Sequence, residues 1–232
     1  MKLPHKTLEK KLFQSGYRHV IGIDEVGIGC LAGPVVVCAV LFNKKFFEKK
    51  HKKLHRLRDS KLLLPHQREK FAEELLKEKD FVYAISSVSP KIIDKINIYQ
   101  AARLGMTRAV KRLANPKPKI LNPKQIPNSK FQIRNKNNKT IVLVDGPHKI
   151  PHVGFDQMPI VKGDRKIFSI ACASIIAKVS RDKMMQKYSR AFPKYGFEKH
   201  KGYGTKLHHA RLITHGPCPI HRRSFAPVAK LL

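Results

Sequence analysis

The ten residues 33–42, GPVVVCAVLF, limit the fold more than any other stretch, because none of them is charged. A β-branched run of this length is a strand buried on both faces; a strand with one wet face would alternate with polar residues. A strand covered on both sides needs layers above and below it, which points to an α/β architecture. Just upstream, residues 18–26 read RHVIGIDEV, a second strand. The Gly-rich turn between them is short enough to make the pair antiparallel. Residues 81–88, 140–145 and 158–161 read as further strands. A helix starts at Pro65, with Phe71, Leu75 and Leu76 as its core-facing stripe. Ser89-Pro90 opens another helix or broken helix, reaching about Ala114. Residues 168–192 form a long helix on which Ile170, Ser174, Ala177 and Arg181 share a face, small enough in the middle to lie close on a sheet. Residues 205–215 are a shorter helix stopped by Gly216-Pro217. The order predicts an α/β domain over 18–232 with a helical C-terminal extension, preceded by a tail at 1–17.

Charge narrows the partner. Forty-eight Lys and Arg against sixteen Asp and Glu leave a net +32. Self-repulsion of that size suits a chain whose partner is a polyanion. Nucleic acid leads, ahead of an anionic membrane surface or the ribosome. No run of 18 apolar residues is present and the N-terminus has no apolar signal core, so the expectation is a cytoplasmic protein without a membrane span. Cys30, Cys38, Cys172 and Cys218 show no CxxC spacing and read as buried free thiols. Residues 115–139 hold four Pro, six Asn, seven Lys or Arg and no acid, the composition of a disordered basic insertion within the domain.

With so few acids, their placement is informative. Asp24 and Glu25 sit adjacent inside VIGIDEVGIG, where two ionised carboxylates are costly. Side chains alternate along a strand, so the two point opposite ways unless the strand ends there. Like charges so close raise each other's pKa, and a divalent cation relieves them. Hard oxygen donors without a nearby His or Cys pair favour Mg²⁺ or Mn²⁺ over Zn²⁺. Taken singly the pair reads equally well as the opening of a turn. Asp145 ends the apolar run TIVLVD and Asp164 lies in VKGDRK; each alone reads as a loop residue. Brought together at the ends of neighbouring strands, the four would suit in-line phosphoryl displacement.

The segments GIDEVGIGCLAGPVVVCAV, RDSKLL, INIYQAARLGMTRAV, VLVDG, IVKGDRKIFSIACASIIAKVSRDKMM, YGFEKHKGYGT and HGPCPIHRRSFAPV resemble, in order, those of the bacterial type 2 ribonucleases H, ribonuclease HII. The likeness covers everything but the N-terminal tail and the 115–139 insertion. It implies a ribonuclease H-like fold, a mixed central sheet flanked by helices. It implies an endoribonuclease cutting the RNA strand of RNA/DNA hybrids and the 5′ side of ribonucleotides in duplex DNA. Two divalent metals would do this, leaving a 3′-hydroxyl and a 5′-phosphate. The family's catalytic, metal-holding quartet falls on Asp24, Glu25, Asp145 and Asp164, with Asp164 completing the site. Gly27, Ile28 and Gly29 match the loop that reads the 2′-hydroxyl through backbone groups. Tyr203 matches the tyrosine that packs on the sugar at the RNA–DNA junction. Ser60 and Lys61 match a phosphate-contacting pair. Lys162, Lys178, Arg181, Lys199, Lys201, Arg222 and Arg223 are expected along the duplex path. No obligate protein partner is expected, and the chain reads as a monomer.

One position departs from the family pattern: Ile28 replaces the arginine of Gly-Arg-Gly. Loss of a guanidinium–phosphate contact is worth about 1–3 kcal/mol of binding. The sister group, ribonuclease HIII, also lacks that arginine, but Asp164, Tyr203 and the short N-terminal segment favour type 2. Two other classes fit less well. A non-catalytic nucleic-acid-binding protein of the same fold has Ile28 in its favour and four retained carboxylates against it. A transposase or junction nuclease would share scattered acids but not HKGYGT or IHRRSF. The segment HGPCPIH, with His208, His209, His215 and His221 near Cys218, has a zinc-like look, but its prolines restrict the loop and the matching family segment has no metal role.

Overall fold

The computed structural model describes residues 3–49, 51–54, 57, 60–114 and 139–232. The predicted insertion therefore lies outside the described residues except for Lys139. Five strands build one sheet: β1 (His19–Val26), β2 (Val35–Asn43), β3 (Phe81–Val88), β4 (Thr140–Asp145) and β5 (Asp156–Ile160). Their order is β3-β2-β1-β4-β5. The first three pair antiparallel, while β4 runs parallel to both β1 and β5, so the sheet is mixed. In β2 every residue but the last is buried, as its unbroken apolar run requires.

Helices α1 (Thr7–Gln14), α2 (Lys44–Glu48), α3 (Pro65–Lys77), α4 (Pro90–Ile96), α5 (Ile98–Ala114), α6 (Phe168–Ala191), α7 (Phe197–His200), α8 (Lys206–His215) and α9 (Ala226–Ala229) accompany the sheet, with short 3₁₀ turns between them. On one face Val20, Cys38, Val40, Phe42 and Leu143 pack against Ile170, Ala171, Ala173 and Ala177 of α6. On the other, Ile21, Ile23, Val37, Leu41, Val142 and Val144 meet Met106, Ala109, Val110 and Leu113 of α5. Each fully buried side chain of this kind contributes about 1.5–3 kcal/mol. The approach of α6 to β1 depends on Gly22, where any Cβ would run into the backbone carbonyl of Ser169. The predicted helix after Ser89 breaks at Asn97, whose φ is 62° and whose Oδ1 accepts from Gln100 N–H, restarting the chain as α5.

Two expectations need correction. Leu76 is exposed; Leu75 faces the core, with Phe71 packed half-buried against it. Residues 1–17 are not simply a tail, because α1 buries Leu12 and Phe13 in the main core. Glu9 is also buried, its Oε1 accepting from Ser169 N–H at 2.9 Å near the start of α6. The Nζ of Lys6 lies over the Phe46 and Phe168 rings at 4.6 and 4.4 Å. Dense lysines disguise the Leu8–Leu12 spacing because their charged ends reach solvent from a segment whose apolar stripe is inward.

Candidate active site

Parallel pairing of β1 with β4 sets Ile23 beside Val144, so the residues that follow, Asp24 and Asp145, lie as neighbours where that pairing ends. β5 pairs with β4 so that Ile160 lies beside Asp145. After β5 the chain bends through Lys162, at φ 56°, into a single tight turn, Gly163–Arg165. This turn carries Asp164 back over the strand ends. Gly163 N–H donates to Asp145 Oδ1 at 2.7 Å and locks the turn to the strand. One carboxylate oxygen from each of Asp24, Asp145 and Asp164 then lies within 4.8 Å of the others. Asp24 and Asp164 are buried and Asp145 is half-buried.

Glu25 is not part of that close group. Asp24 follows Val20 and Gly22 on the α6 face, and strand alternation turns the half-buried Glu25 the other way. Its charge is still coupled to the cluster. Burial, followed by the charge of Asp145, pushes Glu25 up to about 7, with Lys61 opposing. Asp24 is driven well above the ordinary carboxylate range by burial first, then by Glu25 and Asp145. A hydrogen bond from Ser174 of α6 opposes that rise. Three hard oxygen donors crowded together, with Asp24 pushed toward its protonated form, are the donor chemistry of a divalent-cation site.

Ser174, expected only as a small residue on the sheet-facing stripe of α6, supports the site. Its Oγ lies 2.9 Å from Ser60 Oγ, so a buried hydroxyl pair backs Asp24. The same contact turns the Ser60 hydroxyl inward; of the expected phosphate-contacting pair, only Lys61 is exposed.

Residues 27–34 run past this cluster. Gly27 has φ 104°, and a Cβ there would strike the Arg181 side chain. A Cβ at Gly29 would meet nothing, leaving its backbone open to approach. Ile28 packs half-buried against the cluster of Val35, Val88 and Ile93. Here the expected duplex-lining set needs correction: Arg181 and Arg222 are the two largest fully buried side chains. Arg222 donates to the carbonyls of Gly27, Ile28 and Gly33 at 2.6, 2.8 and 3.0 Å. Arg181 donates to those of Ala32, Pro34 and Lys201 at 3.1, 3.1 and 2.8 Å. Their fork geometry serves the loop backbone instead of phosphate. Burial also lowers Arg222 to about 10. Lys178 pairs with Asp182 at 2.8 Å, Lys201 is half-buried, and Lys162, Lys199 and Arg223 are exposed.

The C-terminal extension closes the other side. Isolated pairings join Cys30 to Tyr203 and Ala32 to His221. Tyr203 remains partly exposed, its ring 5.6 Å from Lys178 Nζ. All four cysteines are buried and free. Among the described residues the only convergence of possible metal-binding atoms is the three-aspartate group; the HGPCPIH histidine His221 instead bonds His208 and the Cys218 backbone.

Comparison with known proteins agrees with this architecture. The family model described as Ribonuclease HII matches residues 21–228. The ribonuclease HII of Caldicellulosiruptor bescii is 46% identical over 218 residues, 94% of this chain and 91% of its own. The crystal structure of ribonuclease H2 from Pyrococcus horikoshii superposes with a TM-score of 0.65 at 24% identity, covering 92% of this chain and 96% of that one. The Archaeoglobus fulgidus ribonuclease HII, solved in complex with PCNA, gives 0.62 at 26% identity over 88% of this chain and 92% of that one. A family match running from β1 to α9, a near-full-length relative and a shared fold lead to one conclusion: this chain belongs to the ribonuclease HII family, and is a metal-dependent endoribonuclease.

Proposed function

We propose that the chain hydrolyses the phosphodiester on the 5′ side of ribonucleotides embedded in duplex DNA, and within the RNA strand of RNA/DNA hybrids, leaving a 3′-hydroxyl and a 5′-phosphate. The observation that carries this reading is the convergence of Asp24, Asp145 and Asp164 beside a braced, glycine-bordered loop. Asp24, Asp145 and Asp164 would hold Mg²⁺ or Mn²⁺ most directly, with Glu25, coupled to them through its charge, completing the set. Two such ions, when bound, would supply activation of the attacking water and stabilisation of charge on the leaving oxygen.

The chain's own groups do the rest. Ser174 holds the Asp24 carboxylate toward the cluster, and Gly163 N–H holds that of Asp145. Gly27, Ile28 and Gly29 present backbone where a 2′-hydroxyl, the group that distinguishes RNA from DNA, is to be read. Because the loop carbonyls are held by Arg222 from inside, reading through the backbone does not require the arginine that Ile28 replaces. Tyr203 packs on the sugar, while Lys61 and Lys162 neutralise phosphate.

The charge-neutralising change Asp145→Asn tests the assignment. It keeps an acceptor for Gly163 N–H but removes a metal-holding charge. Cleavage should stop while duplex affinity stays near wild type; residual cleavage at the wild-type rate would contradict it. The chain is read as acting alone. The PCNA complex of the Archaeoglobus fulgidus relative makes that association the one to test, and co-elution of this chain with PCNA would overturn the reading.

A further inference from the structure

The turn that carries Tyr203 is conformationally demanding. Lys201 and Gly202, the two residues before it, both have positive φ, at 53° and 85°. A non-glycine residue in that region persists only where its surroundings impose it. Three buried histidines surround the turn: His200, His208 and His221.

Their hydrogen bonds fix every proton. Cys218 N–H donates to His221 Nδ1 at 2.9 Å, so that nitrogen is bare and the His221 proton sits on Nε2. His221 Nε2 faces His208 Nε2 at 3.1 Å, so the latter must accept. The His208 proton is therefore on Nδ1, which donates to the Tyr203 carbonyl at 2.9 Å. On the other side Gly202 N–H donates to His200 Nδ1 at 3.2 Å, and His200 Nε2–H donates to the Tyr195 carbonyl at 2.9 Å. The His200 and His208 rings stack with centroids 4.2 Å apart. Two imidazoles thus grip backbone groups of consecutive residues, the N–H of residue 202 and the C=O of residue 203. The scheme needs all three rings neutral, and burial lowers all three, His208 and His221 to about 4.

We propose that His208 and His221 are positioning residues for Tyr203, and that their one-way chain of hydrogen bonds sets how that ring meets the ribonucleotide sugar. This rests on Tyr203 being the sugar contact, as read above. No step of the hydrolysis passes through either imidazole.

The test is steady-state cleavage of a duplex with a single ribonucleotide by His208→Gln, His208→Asn, Tyr203→Ala and the double variant His208→Gln/Tyr203→Ala. The Asn amide nitrogen sits where Nδ1 was and can still donate to the Tyr203 carbonyl; Gln reaches only the Nε2 position. Losing one buried donor should raise the KM of His208→Gln about tenfold with kcat unchanged. His208→Asn, which keeps the donor to the Tyr203 carbonyl but loses the acceptor for His221 Nε2–H, should have a KM between those of His208→Gln and wild type, and the double variant should be no worse than Tyr203→Ala alone. Equal effects of Gln and Asn, or multiplying effects in the double variant, would overturn the proposal. Tyr203→Ala with a wild-type KM would overturn the sugar-contact reading and the proposal together. Imidazole ¹⁵N spectra of the unmodified protein give an answer independent of substrate and of variant folding. They should show the Nδ1–H form of His208 and the Nε2–H form of His221; an Nε2–H form of His208 would refute the chain.

Discussion

Asp24 has the features on which the site depends: full burial, no basic partner touching it in the structure described, and a serine hydroxyl behind it. Burial and the neighbouring carboxylates drive protons onto Asp24 and Glu25. Glu25, at about 7 against 4.5 when unfolded, contributes stability that is present below pH 4.5 and lost as pH rises through 7. His208 and His221 work the other way, losing their contribution as pH falls from 6.5 toward 4. Above pH 6.5 the carboxylates therefore dominate. Metal-free protein should melt at a lower temperature at about pH 8 than at 6.5, and millimolar Mg²⁺ should raise the melting temperature more at the higher pH, since protons no longer compete with it. Thermal melts check this; equal metal-induced shifts at the two pH values would contradict it. At this scale Asp24 and Asp145 were legible because each is an acid placed against an apolar run; Asp164, set among Lys and Arg in VKGDRK, was singled out only by the family resemblance. Arg181 and Arg222 were not legible, because a cation in a basic chain reads as surface until its carbonyl partners, distant in sequence, are known. Replacing Arg222 by Met strands the carbonyls of Gly27, Ile28 and Gly33 at about 1–3 kcal/mol for each left unpaired, and should raise KM together with the stability loss.

Among elements, α1 and the β1–α6 contact lead to the clearest expectations. Leu12→Ala should cost about 2–5 kcal/mol in urea unfolding, the range for deleting a buried leucine, whereas a free tail would tolerate it. Gly22→Ala pushes a methyl into the Ser169 backbone and should cost about 1–3 kcal/mol. It should also weaken cleavage, because Ser174 and Asp24 share that interface. Strand and helix positions were largely legible from period and turn chemistry: β2 from its unbroken run, α3 from Pro65. The register was not. Nothing local states that β4 pairs parallel to β1, and that pairing is what puts Asp145 next to Asp24. Likewise the bend at Lys162 that returns Asp164 needs a left-handed residue no pattern announced.

For the molecule as a whole, charge and fold point to the same substrate. A net +32 with a carboxylate cluster at the sheet's end describes a basic protein drawn to a polyanion, with concentrated negative charge at the cluster that a divalent cation would neutralise. If about 6–10 phosphates are contacted, raising salt from roughly 50 to 200 mM should weaken duplex binding by about 10³–10⁵. A slope near zero in a salt titration would contradict this. Deleting residues 116–138 tests whether their basic side chains share in that contact: a shallower slope means they do, an unchanged slope means they do not. The central claim, that this cluster and loop cut at ribonucleotides, is tested most directly by cleavage of three labelled duplexes in Mg²⁺ and in Mn²⁺: one with a single ribonucleotide in DNA, one all DNA, and one a continuous RNA/DNA hybrid. The account predicts a cut on the 5′ side of the lone ribonucleotide, cutting of the hybrid and none of the all-DNA duplex. Binding of all three without cleavage in either metal would contradict it.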